Sequence, residues 1–245
     1  MDPIKAFLDE QAALTNTPAF AENDPVQFPR RYAKLQDIEI VSFVIATISW
    51  GNRKMILNNA ERLLSRWGDS PYDYVMNEGY RVLGKANVHR TFFEHDLAYM
   101  LHGFRHIFAS YGSLDNFLTQ RNAGQADAPA WFAASAMQAE MMKAHGGQCN
   151  GKCFPANLGY AALKRINMAL RWLVRNDRIV DLGVWNCIRP HQLFIPLDVH
   201  VGNTARELGL LQRKSNDRKA VEELTARLRV YCPEDPVKYD FALFG

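Results

Sequence analysis

The chain has 245 residues, 48% hydrophobic and 22% charged, with a formal net charge of +3. Those proportions exclude wholesale disorder, a collagen-like chain and a disulfide scaffold, and the length allows one large domain or two small ones sharing a cleft. Charge is unevenly spread: residues 1–163 carry 15 basic and 16 acidic side chains, whereas residues 164–229 carry 13 and 7. The balance moves from −1 to +6, which is either the electrostatic footprint of a polyanion or a set of solvated helix faces.

Met1-Asp2-Pro3-Ile4-Lys5 lacks a basic stretch leading into an apolar run, so no secretory signal is expected. Four cysteines without a regular framework fit a reducing cytoplasm. The most apolar segment, residues 37–50, contains Glu39 and hydroxyls and is too short to span a bilayer. Its length favours a buried helix over a strand, although β-branched Ile and Val pull the other way. Ile56 to Trp67 carries an apolar stripe at helical spacing and is closed by Gly68 and Pro71. His95 to Tyr111, Leu114 to Thr119 and Ala130 to Ala144 read as further helices, with a polar linker over 120–127.

Residues 145–155 are a loop by composition. There His145, Cys149 and Cys153 form an H-x3-C-x3-C pattern, but zinc ordinarily takes four ligands and the glycines break any helix that would align these three. No metal and no cofactor are expected. A helix is predicted over Leu158–Val174, another over about Val199–Leu210 after Pro196, and a last amphipathic one capped by Ser215 or Asn216 and ended by Cys232-Pro233. No alternating strand series is present, so the class is all-α.

Two segments carry the chemistry. Leu158-Gly159-Tyr160-Ala161-Ala162-Leu163-Lys164-Arg165-Ile166-Asn167 and Ile195-Pro196-Leu197-Asp198-Val199-His200-Val201 together resemble the helix-hairpin-helix superfamily of DNA glycosylases, the group containing endonuclease III and the 8-oxoguanine glycosylases. Members place a lysine near a helix start in a pattern like L-P-G-V-G-x-K-x-x-N, and an aspartate in a run like V-D-T-H-[IV] at the head of the next helix. Lys164 and Asn167 match the first spacing and Asp198 the second. This resemblance is specific over about 158–211. The lysine-to-aspartate separation, 198 − 164 = 34, is similar to that of the archaeal 8-oxoguanine glycosylases. Gly159-Tyr160-Ala161-Ala162 stands where the superfamily often has P-G-V-G, and no four-cysteine cluster motif follows the aspartate. A second resemblance covers almost the whole chain. It is to a bacterial family of uncharacterised proteins marked by K-R-x-N-M-x-L-R-W and P-L-D-x-H-V, and it includes Trp50-Gly51-Asn52 and His89-Arg90-Thr91-Phe92.

The glycosylase resemblance implies a two-lobed helical fold with a degenerate helix-hairpin-helix. One lobe would span about 36–180, the other about 1–35 plus 181–245. It implies double-stranded DNA with a damaged base as partner, and no membrane. Lys164 and Asp198 would be the catalytic pair: a carboxylate stabilises positive charge developing on the sugar, and a lysine amine at C1′ displaces the base to give a Schiff base. That amine must be neutral, hence partly withdrawn from water, and the pair should face each other across a cleft. Arg165, Arg171, Arg175, His200 and Asn203 are candidate DNA contacts. Trp50, Phe154, Trp172 and Trp185 are candidate walls for an extruded base.

Taken singly, each has a plainer reading. Asp198 is a good helix N-cap, Lys164 a solvated helix lysine, His200 a structural histidine, and the tryptophans core anchors. Two alternatives stand beside the enzyme: a nucleic-acid binder of the same fold without the chemistry, and a helical protein-interaction domain. The lesion and the oligomeric state are left open.

Overall fold

Capping residues and prolines begin the first helices. In the computed structural model, which describes residues 2–244, Asp2 accepts hydrogen bonds from the Ile4 and Lys5 amides and Pro3 occupies the first position of α1 (Pro3–Thr15). Thr17 and Pro18 start α2 (Pro18–Asn23) in the same way. The apolar segment becomes α3 (Leu35–Ile48), buried from Asp37 through Ile48. Hydrophobic on nearly all sides, it is the central helix.

Asn52 caps α4 (Arg53–Leu64) and Ser70 caps α5 (Pro71–Met76). A small antiparallel hairpin, β1 (Asn87–His89) with β2 (Phe92–Phe93), interrupts the helical series and was not expected from the sequence. Then follow α6 (Glu94–Tyr111), α7 (Leu114–Thr119), α8 (Pro129–Ala144) and α9 (Lys164–Val174). Asp198 caps α10 (Val199–Glu207), and Asp217 caps α11 (Arg218–Tyr231). The short α12 (Asp240–Phe244) ends the described chain. The protein is predominantly helical, as the periodicity predicts. Among the described residues no helix is long and apolar enough to cross a membrane.

Two boundaries differ instructively. The helix predicted from Leu158 begins only at Lys164, because three of the preceding carbonyls are taken by donors outside the helical ladder, two of them distant in the chain. Tyr160 O accepts from the Arg218 amide, Ala161 O from the Trp131 indole, and Ala162 O from the Asn167 side chain. A carbonyl aimed across the fold is not available to the amide four residues on. The final long helix is capped by Asp217 rather than Ser215 or Asn216; the Asn216 side chain instead donates to the Asp198 carbonyl at 3.0 Å.

Among the described residues the buried apolar side chains, Ile56 excepted, form one connected cluster. Within it α3 packs on α9 and α6 on α8, while α12 packs against both α1 and α10. The head of α9, the tail of α3 and the head of α10 are thereby brought together.

Candidate functional site

At the end of α3 the chain turns sharply through Ser49, Trp50 and Gly51. Gly51 has φ +97°, a conformation that L side chains rarely adopt, and a Cβ there would lie 2.5 Å from the Arg90 guanidinium. The hairpin tip can therefore close on this turn. His89 is fully buried and holds it: its Nδ1 accepts from the Asn59 amide at 2.9 Å, so Nε2 carries the proton and donates to the Trp50 carbonyl at 2.8 Å. Trp50 is half-buried, edge-on to His89, with the Arg90 guanidinium 4.4 Å from its ring centre. The His89-Arg90 segment, noted in the sequence without a role, thus orients one aromatic side chain.

Below Trp50 lies a cavity of about 370 Å³, bounded also by Asp24, Arg53, Lys164, Asp198, His200 and Phe244. Lys164 is the first residue of α9 and Asp198 the cap of α10. The Lys164 ammonium lies 3.7 Å from Asp198 Oδ2 and donates to the Ser49 carbonyl at 3.3 Å. Both side chains keep about a quarter of their surface exposed, 25% and 22%. Asp198 divides its carboxylate: Oδ1 accepts from the Val201 amide at 3.0 Å, and Oδ2 faces the lysine. The helix-cap reading and the paired-site reading are both satisfied by one residue.

Two further carboxyls stand behind the lysine. Burial pushes Asp24 up, against the Val26 amide and the nearby Arg171, Arg53 and Lys164. Asp240 is pushed up to about 6 by burial and by Asp198, with Arg171 and Lys164 pulling the other way. Asp24, Asp240 and Phe244 also border a smaller void behind Lys164. None of these three was marked by the sequence. Asp24 lies between the end of α2 and Pro25, and Asp240 sits beyond the last periodic helix, so no local pattern distinguishes them.

Several expected site residues lie elsewhere. Arg171 and Arg175 are not DNA contacts at a surface. Arg171 is buried against Asp181 and Asp240, and Arg175 against Asp177, Asp181 and Asp235. Burial alone would lower both arginines, but the surrounding carboxylates outweigh it and hold them raised. Trp172 is fully enclosed in the core. Trp185 is buried and donates its indole N–H to Glu39 at 2.8 Å. Burial pushes that carboxyl up to about 7, even though the Leu114 and Asp115 amides and the Trp185 indole all donate to it. Phe154 is core as well. These three aromatic residues cannot wall the cavity, and only Trp50 of the four does. His200 is exposed at its rim, Asn203 is exposed on α10 outside it, and Arg165 points to the other side of Lys164.

His145 donates to, or accepts a proton from, no cysteine: its Nε2 contacts the Tyr99 carbonyl at 2.9 Å, and the Cys153 thiol donates to the Asp96 carbonyl at 3.4 Å. Among the described residues no group of three or more His, Cys, Asp or Glu side chains could hold a metal ion.

The sequence profile of a family described as "Protein of unknown function (DUF2400)" matches residues 24–245, all but the first 23. The chain belongs to the DUF2400 family. The match takes in every residue that bounds the Lys164–Asp198 cavity, Asp24 included. Neither curated proteins nor solved structures returned a match to this DUF2400 member.

Proposed function

We propose that this protein is a DNA base-excision glycosylase, with abasic-site lyase activity carried by Lys164. The observation that carries the reading is the amine of Lys164 standing 3.7 Å from the Asp198 carboxylate in a cavity open enough for a sugar or base, beside an aromatic side chain. Cavity volume, partial exposure of both groups and the half-buried Trp50 support an extruded nucleotide as substrate. In this reading the Asp198 carboxylate stabilises the cationic sugar as the bond to the base breaks, while Lys164 gives up its proton to solvent before it attacks. The amine nitrogen bonds to C1′, the base departs with the bond's electrons and takes a proton from solvent, and ring opening gives the Schiff base.

The test is borohydride trapping on abasic duplex DNA, run beside a panel of lesion-containing duplexes. Wild type should form a covalent adduct, Lys164→Ala should form none, and Asp198→Asn should slow base release by roughly 100-fold or more. Absence of both adduct and base release from a folded protein would remove the enzymatic reading. A nucleic-acid binder without chemistry is favoured by one feature: Tyr160 and Ala162 occupy the turn before α9, where glycines would let a backbone approach a phosphate. Salt-sensitive DNA binding without adduct would select it, and no DNA binding at all would point to the interaction domain.

A further inference from the structure

On the side of Lys164 away from Asp198 lies a second recess, of about 430 Å³, bounded by Trp50, Thr91, Phe92, Gly151, Lys152, Lys164 and Arg165. It has three cationic side chains and no carboxylate. Lys164 has Asp198 as its counter-charge, but among the described residues neither Arg165 nor Lys152 has an acidic partner within ion-pair distance. Lys152 is exposed and donates to the Thr91 hydroxyl at 3.4 Å.

Arg165 is half-buried, and burial lowers its pKa with only the Cys153 thiol opposing. A guanidinium does not lose its proton in a protein, so the charge stays and calls for compensation. What compensates it is partial. Its Nη1 donates to the Thr47 carbonyl at 3.2 Å and the Lys152 carbonyl at 3.3 Å, while its Nε and Nη2 are unengaged among the described residues. The carbonyls at the end of α3 supply a fraction of a unit charge. Against them, α9 begins without a side-chain cap and without an acidic residue in its first turn, which adds positive potential to the same place.

We propose that this recess is a phosphate-binding subsite, in which Arg165 and Lys152 take the phosphate oxygens and Trp50 borders the rest of the ligand. A tetrahedral dianion or a phosphodiester matches the free fork of Arg165, which can give two parallel hydrogen bonds, next to the point charge of Lys152. The source is a strand phosphate or a free phosphate monoester. The inference deepens the nucleic-acid reading above and rests on it only for the choice of source.

Two binding measurements on the intact chain test it, neither depending on base release. The first is equilibrium dialysis with radiolabelled orthophosphate. The second is fluorescence anisotropy with a duplex carrying a tetrahydrofuran abasic analogue, at several salt concentrations. Arg165→Gln and Lys152→Gln are compared with Arg227→Gln, which removes an exposed cation on α11 outside the recess. Lys152 is exposed, so its substitution leaves the fold intact even if Arg165→Gln does not.

The expected result is a tenfold or greater loss of orthophosphate affinity in both recess variants and none in Arg227→Gln. If the duplex affinity falls with it, and the salt slope drops by about one, the phosphate belongs to a strand. If duplex affinity is unchanged while orthophosphate is lost, it belongs to a small monoester. The proposal is overturned if wild type retains no orthophosphate, if Lys152→Gln binds it as wild type does, or if Arg227→Gln weakens it equally. Failure of borohydride trapping with these shifts intact would remove the lyase and leave the subsite.

Discussion

Helix α9 carries cations at both ends, and the two ends are neutralised in opposite ways. At its C-terminal end Arg171 and Arg175 are buried among Asp177, Asp181, Asp235 and Asp240, with the Phe241 ring 4.5 Å from the Arg171 guanidinium. At its N-terminal end Lys164 has one carboxylate at 3.7 Å, and Arg165 has backbone carbonyls alone. A buried charge stripped of its partner is costly, so the first arrangement belongs to a scaffold that must not change. The second leaves hydrogen-bonding capacity and charge facing open cavities, as a binding site must. The difference sets a caged end against an open one along a helix of eleven residues.

The comparison is broken most forcefully at the paired end. Arg171→Met should destabilise the protein by about 3–5 kcal/mol, because Asp181 and Asp240 lose their counter-charge in the core. Urea unfolding at pH 7 measures this, and the loss should narrow at lower pH as the stranded carboxyls take up protons. An unchanged midpoint would show that the carboxylates are not held by that arginine.

A smaller effect is the pH dependence that Asp240 imposes. Its carboxyl is raised from 3.8 to about 6, so between those values the folded protein holds a proton that the unfolded chain has released. The resulting stability is fully present below pH 3.8 and is lost as pH rises through about 6. Wild type should therefore lose roughly 2–3 kcal/mol relative to Asp240→Asn between pH 4 and pH 7, from about 1.4 kcal/mol per unit. Parallel stability curves for the two proteins would refute it.

The finest distinction lies within Asp198, whose two oxygens have separate tasks. Asp198→Ala should cost about 1 kcal/mol of stability by uncapping α10, whereas Asp198→Asn, an equally good cap, should stay within about 0.5 kcal/mol. Thermal melts of both variants show which part of any activity loss comes from the charge alone.

Most of the long helices were legible before any coordinates, since an apolar stripe and a cap are local patterns. α6, α7 and α8 begin and end within a residue of their predicted limits. The hairpin at 87–93 was not legible: its strands are three and two residues long, too short for alternation to show. Nor was the delayed start of α9, where an indole, a side-chain amide and the Arg218 amide take the carbonyls that a helix would have used.

By itself the sequence determined the helical class and the Asp198 cap, while the expectation that Lys164 and Asp198, 34 positions apart, would meet came from the glycosylase resemblance. It could not determine which of four similar cations on α9 and at its C-cap would be caged. Burial and neutralisation depend on carboxylates arriving from residues 177–181, 235 and 240, and on α3 presenting its carbonyl end to Lys164 and Arg165. Helical periodicity is set by neighbours three and four residues away, whereas the electrostatic environment of a side chain is set by whatever the folded chain brings within a few ångströms. Only the tertiary structure decided that.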